Sequence, residues 1–465
     1  MRTLLLFAFV LVTQFVTSQT QVSGGIYQNT TWSAAASPFV VTGSIVVFPG
    51  KTLTIEPGVE LIIDNVSSSE IYIEARGIID LIGTESNPIV IHTLYDTTNV
   101  GWQGFKCISS QGGQINADRF HIANAVNPFD YETPLGTIVY NNCRFAYCQQ
   151  AVTVSENVTL SKCDFINNGN AVYGWANFTI NNCTFDGNGS AVNAYTTNLS
   201  VTNSTFSNNQ TGIQFSSIVF GAMDIQDCNF IGNDIAVSNL NNGDLFNCYF
   251  SNNGTAILFA YEAEIYDNLF ESNGLALDAA FSTNAYNNQI SNNAVGVRIS
   301  GLSASSEVPA IVNNQLCYNL NYNIENGTNV NVSLLSNCFC GLDSSAIELS
   351  IYDGYDDITR GLLNYSVYDS SCTSLLQSVI KFEEASSSLV NLETADVQLV
   401  NPLTDNLHFI GVDEVTRVTI RNMLGQRLAQ FGSGNNFGVG FLPSGYYFLE
   451  CEINQQSVQL KFLKQ

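Results

Sequence analysis

A period of about 20 residues is the feature that most restricts how this chain can fold. Apolar anchor residues recur at steps of 20 to 24 residues: Phe145, Phe165, Phe185, Phe206, Phe230, Phe250, Phe270 and Ile290. Three residues after seven of these eight anchors stands an Asn: Asn168, Asn188, Asn209, Asn233, Asn253, Asn273 and Asn293. Ala or Gly stands six residues after every anchor. A period of this length indicates stacked repeats, each of which buries its apolar side against its neighbours.

The phase of the apolar residues within one repeat predicts three short strands. Ile180 and the next inward residue, Cys183, are separated by an odd number of steps, so strand alternation cannot continue between them. A bend at 181–182 therefore separates two strands. The pair 188–189, Asn followed by Gly, marks a second bend before the third strand. We predict coils of three strands and about three bends that stack at about 4.8 Å per coil.

Two polar columns follow from this alignment. The Asn column (the seven Asn residues above) is predicted to take left-handed backbone at a bend, which Asn tolerates best after Gly. Stacked in register, each amide would donate to one neighbour and accept from the other. The second column, the Cys column, contains Cys143, Cys163, Cys183, Ser204, Cys228 and Cys248. Because stacked thiols point the same way, a disulfide between neighbouring coils would be strained. We therefore interpret these residues as small, buried and mainly reduced.

The N-terminus has the composition of a signal peptide. Arg2 supplies a positive start, residues 4–12 an apolar core and residues 16–18 a small-residue cleavage region, so we expect residues 1–18 to be removed. No later stretch reaches about 18 uninterrupted apolar residues, so no transmembrane segment is expected. The protein is therefore expected to be secreted or held at the outer cell surface.

Acidic residues dominate the charge. The chain has 15 Lys and Arg against 40 Asp and Glu, a formal net charge of −25, which argues against nucleic acid or an anionic membrane as a partner. Asp224, Asp244 and Glu264 form one outward column, the acidic column, with Asp227 and Asp267 at the adjoining bend. Because oxygen ligands suit calcium, Asp224, Asp244, Glu264 and Asp267 form a candidate calcium site. The alternative is a solvated acidic stripe. Cys338-x-Cys340 is only a weak metal signal, because no His or second Cys pair accompanies it.

Several segments carry a resemblance to a known family. They are Val40-Val41-Thr42-Gly43, residues 50–59 (GKTLTIEPGV), residues 83–89 (GTESNPI), Gly101-Trp102-Gln103-Gly104-Phe105 and residues 351–361. With the repeats, they make residues 35–370 resemble the right-handed parallel β-helix proteins of the pectate-lyase-like superfamily. Cys340-Gly341 stands where that family often has Trp-Gly. The resemblance implies an all-β solenoid but no single function, because this scaffold carries lyases, hydrolases, adhesins and inert stalks.

The last 70 residues break the 20-residue period. In order and spacing they are similar to the C-terminal sorting domain of the bacterial type IX secretion system, carried here by Asn401, Pro402, Leu407, Gly425, Leu442, Gly445 and Tyr447. The resemblance implies a small β-sandwich that the secretion machinery recognises; a generic β-sandwich module is the alternative. The predicted organisation is a signal peptide (1–18), a β-helix (19–370), a Ser-rich linker (371–395) and a sorting domain (396–465).

Catalytic groups are sparse. Between residues 141 and 340 the only cations are Arg144, Lys162 and Arg298, and no His occurs. Arg144 and Lys162 lie in adjacent coils, which leaves a polysaccharide lyase or a hydrolase as one alternative. Strand alternation places Asp118 and His121 on opposite faces. We therefore expect non-catalytic adhesion or binding of an extracellular polysaccharide or cell-surface glycan, with calcium as the sole candidate cofactor; a structural spacer is the second alternative.

Overall fold

The computed structural model divides the chain into two units, residues 1–381 and 382–465. In the first unit it describes residues 19–370 and 372, apart from 67–69, 96–97, 134–136, 156, 176, 196–197, 216–220 and 303–306. In the second it describes 398–399, 406–410, 416–421, 427–434, 436–440, 442, 445–453 and 456–464. The predicted signal peptide, and the predicted linker except Cys372, lie outside the described residues. No described helix is long and apolar enough to cross a membrane.

The N-terminal coils consist of parallel ladders of irregular length. Their strands are β1 (Thr20–Ile26), β2 (Thr30–Trp32), β3 (Phe39–Val47), β4 (Thr52–Ile55), β5 (Glu60–Ile63), β6 (Tyr72–Ala75), β7 (Ile78–Ile82), β8 (Ile89–Thr93), β9 (Gly104–Cys107), β10 (Gln114–Asp118), β11 (Phe120–Ala123) and β12 (Phe129–Tyr131). Short 3₁₀ helices span Ala34–Ala36 and Ser109–Gln111. Strands β2, β4, β7 and β10 form a small parallel sheet of their own.

Regular coils follow, each with three strands. In chain order the strands are β13 (Thr137–Asn141), β14 (Arg144–Ala146), β15 (Gln150–Val154), β16 (Asn157–Ser161), β17 (Asp164–Ile166), β18 (Asn170–Gly174), β19 (Phe178–Asn181), β20 (Thr184–Asp186), β21 (Ser190–Ala194), β22 (Asn198–Thr202), β23 (Thr205–Ser207), β24 (Thr211–Phe215), β25 (Ala222–Gln226), β26 (Asn229–Ile231), β27 (Ile235–Ser238), β28 (Asp244–Phe246), β29 (Tyr249–Ser251), β30 (Thr255–Ala260), β31 (Glu264–Tyr266), β32 (Leu269–Glu271), β33 (Leu275–Ala279), β34 (Asn284–Tyr286), β35 (Gln289–Ser291), β36 (Val295–Ile299), β37 (Ala310–Val312), β38 (Gln315–Cys317) and β39 (Tyr322–Asn326).

These strands stack into three parallel ladders. Sheet 1 contains the first strand of each coil, from β13 to β37, sheet 2 the second, from β14 to β38, and sheet 3 the third, from β15 to β39. Pairing follows the predicted alignment, so that Phe145 faces Phe165 and Phe165 faces Phe185. The prediction of an all-β solenoid with three strands per coil is confirmed.

The solenoid ends on a more irregular segment. It contains β40 (Val332–Cys338), helix α1 (Ser344–Glu348), β41 (Ile351–Tyr352) and β42 (Leu363–Asp369). The fully buried Asp353 fixes this segment, because its carboxylate accepts hydrogen bonds from the backbone N–H groups of Leu363 and Tyr355. Two disulfides hold it covalently: Cys317–Cys340 links the end of β38 to the residues after β40, and Cys338–Cys372 links the end of β40 to the residues after β42. Cys338 and Cys340, the weak metal signal, are therefore both disulfide-bonded.

The second unit has a different architecture. Its strands are β43 (Gln398–Leu399), β44 (Asn406–Ile410), β45 (Thr416–Arg421), β46 (Arg427–Phe431), β47 (Asn436–Gly438), β48 (Gly445–Ile453) and β49 (Gln456–Lys464), and their pairings are antiparallel. They form one sheet of three strands and one of four. Among the residues of the predicted sorting signal, Leu407 and Leu442 are buried, and Gly445 and Tyr447 lie on β48. Asn401, Pro402 and Gly425 lie outside the described residues.

A stack of phenyl rings forms the centre of the solenoid core. From Phe145 to Phe270, consecutive rings of the Phe column have centroids 4.7 to 5.1 Å apart and planes within 10° of each other. All seven side chains are fully buried. In-register parallel pairing produces this stack, because it places the same position of successive coils one strand spacing apart.

The prediction of left-handed backbone in the Asn column is wrong by one residue. The positive φ values belong to the residues before it, such as Asn167 (φ 52°) and Asn208 (φ 54°). The Asn column itself points inward: Asn168 Oδ1 accepts from the backbone N–H of Cys148, while its Nδ2 donates to Asn188 Oδ1 and to the Phe145 carbonyl. A buried N–H requires a partner, and the inward amide of the next coil supplies it.

The Cys column occupies the equivalent position at the other bend. The N–H of Cys183 donates to Ser204 Oγ, and the N–H of Cys248 donates to Asn268 Oδ1. After Cys248 the column continues as a second ladder of amides. Each Oδ1 in this ladder accepts a hydrogen bond from the Nδ2 of the Asn one coil earlier, in the order Asn268, Asn288, Asn314 and Asn337. The five thiols of the Cys column are buried and free, as predicted.

Candidate ligand-binding surfaces

The acidic column lies where the sequence predicts it, on the outer face of sheet 1. Asp224 faces Asp244, and Asp244 faces Glu264, in register. Like charges in adjacent strands repel, so this register brings unfavourable pairs together. The pKa of Asp224 is accordingly raised, first by partial burial and second by Asp244.

The acidic column does not converge on one point. Glu264 accepts a hydrogen bond from Asn284 Nδ2, which turns it toward the following coil. Asp227 and Asp267 both lie at left-handed bend positions (φ 55°), separated by the coil that contains Asn247. Within the part of the chain that the structure describes, three potential ligand atoms approach within 4.8 Å only in the disulfide-bonded group Cys317, Cys338 and Cys340. Calcium binding by the acidic column stays a prediction.

Sheet 1 changes character toward the N-terminal coils. There its outward residues form the amide-hydroxyl face, which contains no ionisable side chain: Asn157, Thr159, Ser161, Thr179, Asn181, Asn198, Ser200 and Thr202. Side chains bond along the stack, as in the bonds from Asn177 Nδ2 to Asn157 Oδ1 (2.8 Å) and from Asn198 Nδ2 to Asn177 Oδ1 (3.3 Å). Amides and hydroxyls both donate and accept hydrogen bonds. This face can therefore donate to the oxygen of a ligand hydroxyl group and accept a hydrogen bond from its O–H.

An exposed aromatic cluster adjoins the amide-hydroxyl face. Trp175 is 57% exposed and Tyr195 is 36% exposed, and their rings stack at 5.3 Å with planes 29° apart. Tyr173 contacts both rings edge-on, at 5.4 and 5.8 Å. We call Tyr173, Trp175 and Tyr195 the aromatic platform. The aromatic platform was not predicted from the sequence, although a 20-residue step separates Trp175 from Tyr195.

A second row of aromatic residues runs beside the acidic column. Phe246, Tyr266 and Tyr286 stack on the outer face of sheet 1 with centroids 4.9 and 5.1 Å apart and planes within 4°. Their rings turn their faces toward each other, so a ligand meets mainly ring edges. Burial raises the pKa of Tyr266, and the nearby carboxylates, Asp244 first, add to that effect.

The prediction that Asp118 and His121 lie on opposite faces of one strand is wrong. Arg119 adopts a left-handed conformation (φ 52°) and divides the segment into β10 and β11. Asp118 Oδ1 accepts from the backbone N–H of Asn141, and Oδ2 accepts from Arg119. Both carboxylate oxygens of Asp118 thus accept hydrogen bonds from within the protein. The bend at Arg119, rather than strand alternation, sets the directions of the Asp118 and His121 side chains.

His121 instead joins the outward column of sheet 2. It pairs in register with Arg144, and Arg144 pairs with Asp164. The pKa of His121 is lowered, mainly by burial and then by Arg144, while Asp164 opposes the shift. Lys162 lies at the left-handed bend and not in this column. The two cations Arg144 and Lys162 therefore occupy different columns.

One comparison with known proteins identifies the kind of fold. A family model for right-handed β-helix regions matches residues 171–316, which contain the most regular part of the three ladders. A search of curated proteins found no match. The chain is thus similar over these coils to right-handed β-helix regions, in agreement with the parallel three-sheet architecture.

Proposed function

We propose that this protein is a secreted or surface-held β-helix that binds an extended glycan without catalysis. The observation that carries the proposal is the aromatic platform, which stands exposed beside the amide-hydroxyl face of the same coils. Two ring systems of this size exposed together on a soluble surface are typical of an interaction site.

The chemistry of the two surfaces fits a sugar chain. The apolar C–H face of a sugar ring packs against an aromatic ring, and its hydroxyl groups require partners that donate and accept. Trp175 precedes Asn177 by two residues, and Tyr195 precedes Asn198 by three, so each coil presents a ring next to an amide. These two adjacent coils present the arrangement one coil spacing apart, about 4.8 Å, so a ligand that spans both coils fits better than one that contacts a single coil.

Binding without turnover fits the absence of acid–base groups on the amide-hydroxyl face. Hydrolysis requires a positioned acid and base, and elimination requires a base with charge stabilisation. The outward residues of β16, β19 and β22 are amides and hydroxyls only. The alternatives of a polysaccharide lyase or hydrolase, and of a structural spacer, are outcomes of the test below.

Export through the type IX machinery is part of the proposal. The Cys317–Cys340 and Cys338–Cys372 disulfides support a location outside the cytoplasm, because such bonds persist in oxidising compartments. The separate antiparallel C-terminal unit supports a module with its own role.

A glycan array tests the proposed function. We expect the intact protein to bind at least one polysaccharide, and Trp175→Ala or Tyr195→Ala to weaken that binding by about tenfold, near 1.4 kcal/mol. Tyr355→Ala is the matched control, because Tyr355 is 77% exposed but lies in the closing segment.

The same polysaccharides should be assayed for reducing ends and for unsaturated products. Release of either would replace the binding role with hydrolysis or elimination. Binding to no glycan would leave the spacer as the better description. Equal losses in Trp175→Ala and Tyr355→Ala would contradict the placement on the aromatic platform.

A further inference from the structure

Four cysteine sulfurs meet at the C-terminal end of the solenoid. The Sγ atoms of Cys317, Cys338 and Cys340 all lie within 4.8 Å of one another. The fourth sulfur, that of Cys372, is bonded to Cys338, while Cys317 is bonded to Cys340. The two disulfides are therefore direct neighbours, although they join different segments of the chain.

The pairing of the last strands in register produces this cluster. Gln315 on β38 faces Cys338 on β40, and the same offset of 23 residues separates Cys317 from Cys340. The register thus places Cys317 beside Cys340, whereas Cys338 precedes Cys340 by only two residues along the chain. Stacking and chain connectivity together bring a third sulfur next to an existing disulfide.

Both disulfides show the same pattern of exposure. Cys317 and Cys338 are only 2% and 4% exposed, whereas Cys340 and Cys372 are half-buried. Each bond therefore joins a buried residue to one that is partly exposed. A thiol in solution can approach Cys372, but a reaction between Cys338 and Cys317 takes place inside the protein.

Hydrogen bonds suit Cys338 to attack and Cys340 to leave. The backbone N–H of Cys340 donates to Cys338 Sγ at 3.2 Å, and Gln315 Nε2 donates to Cys340 Sγ at 3.5 Å. N–H donors stabilise the charge of a thiolate, which is the form that reacts in exchange. Exchange is also faster when the departing thiolate is stabilised. Cys340 is therefore the better leaving group of its disulfide, and Cys317 Sγ is the sulfur that is attacked.

We propose that these four residues form a thiol–disulfide exchange site that reacts with an external dithiol. One thiolate of the dithiol attacks Cys372 Sγ, and the Cys338 thiolate departs. The second thiol of the reagent then displaces Cys372, which takes up a proton, and the reagent leaves as a disulfide. Next, Cys338 attacks Cys317 Sγ, which forms the Cys317–Cys338 bond and releases Cys340 to be protonated. Two electrons thus pass from the dithiol to the protein, and one of its two disulfides remains.

The internal step transfers the reduced state to the surface. Without it, reduction would leave a buried thiol at Cys338; with it, the two thiols are Cys340 and Cys372, which are both half-buried. A thiolate is more stable where water can solvate it, which favours the exchanged form. The two accessible thiols can then form a mixed disulfide with a thiol of another molecule. This reactivity is independent of glycan binding, because none of these residues belongs to the aromatic platform or the amide-hydroxyl face.

Cys372→Ser tests the internal step directly, because it leaves Cys338 unpaired beside the Cys317–Cys340 disulfide. The full chain is incubated at mildly alkaline pH, acidified to stop the exchange, and labelled with N-ethylmaleimide in denaturant. Fragmentation mass spectrometry then locates the label. We expect most of the label to have moved from Cys338 to Cys340. Label that stays on Cys338, or that appears on Cys317, would overturn the proposal.

The unmodified protein provides the second measurement and requires no variant to fold. It is treated with an equimolar amount of dithiothreitol as the dithiol probe and then labelled in the same way. Cys248, a buried free thiol, should be labelled in every sample and checks that labelling is complete. We expect new label on Cys340 and Cys372. New label on Cys338 and Cys372, or on Cys317 and Cys340, would mean that one disulfide is reduced without exchange, and would refute the proposed site.

Discussion

At the scale of single residues, both bends of the regular coil use the same device. A residue with left-handed backbone is followed by one whose N–H points into the solenoid, as at Asn167 before Asn168 and Asn247 before Cys248. The following coil must then supply an acceptor. Asn performs this role best, because its Oδ1 accepts and its Nδ2 can still satisfy a buried carbonyl.

The Asn column should therefore contribute more stability than an exposed ladder of the same residue type. Asn209→Ala would leave the N–H of Asn188 and the carbonyl of Phe185 without their partners. We expect a loss of roughly 2 to 5 kcal/mol, since each buried orphan costs about 1 to 3 kcal/mol. Asn157→Ala, in the exposed ladder, is the control and should change little. Equal losses in urea unfolding would contradict this account.

The acidic column gives opposite expectations for its two interpretations. If Asp224, Asp244 and Glu264 share calcium, the ion stabilises the folded state by about 2.7 kcal/mol at a hundredfold excess over Kd. Asp244→Asn would then remove most of that gain. If the column is a solvated stripe, the same change relieves repulsion, which contributes to the raised pKa of Asp224, and is neutral or slightly stabilising. Thermal melts of both proteins with chelator and with calcium separate the two.

Asp278 should make stability depend on pH in an unusual direction. Burial raises the pKa of its carboxyl, Glu325 adds to the rise, and Ser300 and Arg298 oppose it. A folded-state pKa above the unfolded value means that the native chain holds the proton more tightly. This contribution is complete below the ordinary pKa of Asp and is lost as pH rises through the raised value. Asp278→Asn should remove the loss, so the two melting temperatures should separate as pH rises through that window and keep a constant difference above it. A difference that does not change with pH anywhere would contradict this account.

At the scale of structural elements, the stacked Phe residues hold the coils together. Each inner ring of the Phe column, from Phe165 to Phe250, has a stacked ring on both faces, for example Phe206 between Phe185 and Phe230 at 4.7 and 4.9 Å. A gap in this stack cannot close easily, because the backbone ladders on three sides fix the spacing of the coils.

Phe206→Ala should therefore be costly. Phe206 is fully buried, and we expect a loss of about 3 to 5 kcal/mol, as for other large buried aromatic residues. Chemical denaturation followed by circular dichroism measures it. Phe206→Leu keeps most of the volume and should cost clearly less. If both changes cost the same, the stack of rings rather than the filled volume would be the source of stability.

At the scale of the whole molecule, the two units differ in strand pairing, and each contains buried residues of its own. We predict that deleting residues 396–465 stops the export of the protein and leaves it in the periplasm, with the β-helix still folded. Fractionation of cells that express the full and the shortened chain measures the location, and far-UV circular dichroism measures the fold. Normal delivery of the shortened chain to the surface would show that the resemblance to a sorting domain is misleading.

The repeat, the three strands per coil and the columns that stack could be predicted from the sequence. These features are periodic, and parallel pairing in register carries any period of the sequence directly into space. The Phe column, the acidic column and the free thiols of the Cys column thus appear where the 20-residue alignment places them.

The roles of the individual bend residues, in contrast, became clear only from the contacts between stacked coils. The left-handed position and the inward amide are neighbours in sequence, as Asn167 and Asn168 show, so composition alone does not separate their roles. The difference depends on which N–H groups point inward once coils stack. Likewise, the aromatic platform forms because Trp175 directly follows the end of β18 and its ring stacks on Tyr195 of the next coil.

The surroundings of the buried Asp278 could not be predicted from the sequence for the same physical reason. A bulge at Leu258 and Phe259 faces Asp278 from the preceding coil, and the charged residues Arg298 and Glu325 lie one and two coils later. Register slips and coil-to-coil contacts are properties of neighbouring backbones. The period of the coils can therefore be read from the sequence, whereas the contacts at irregular positions are defined only once the coils have stacked.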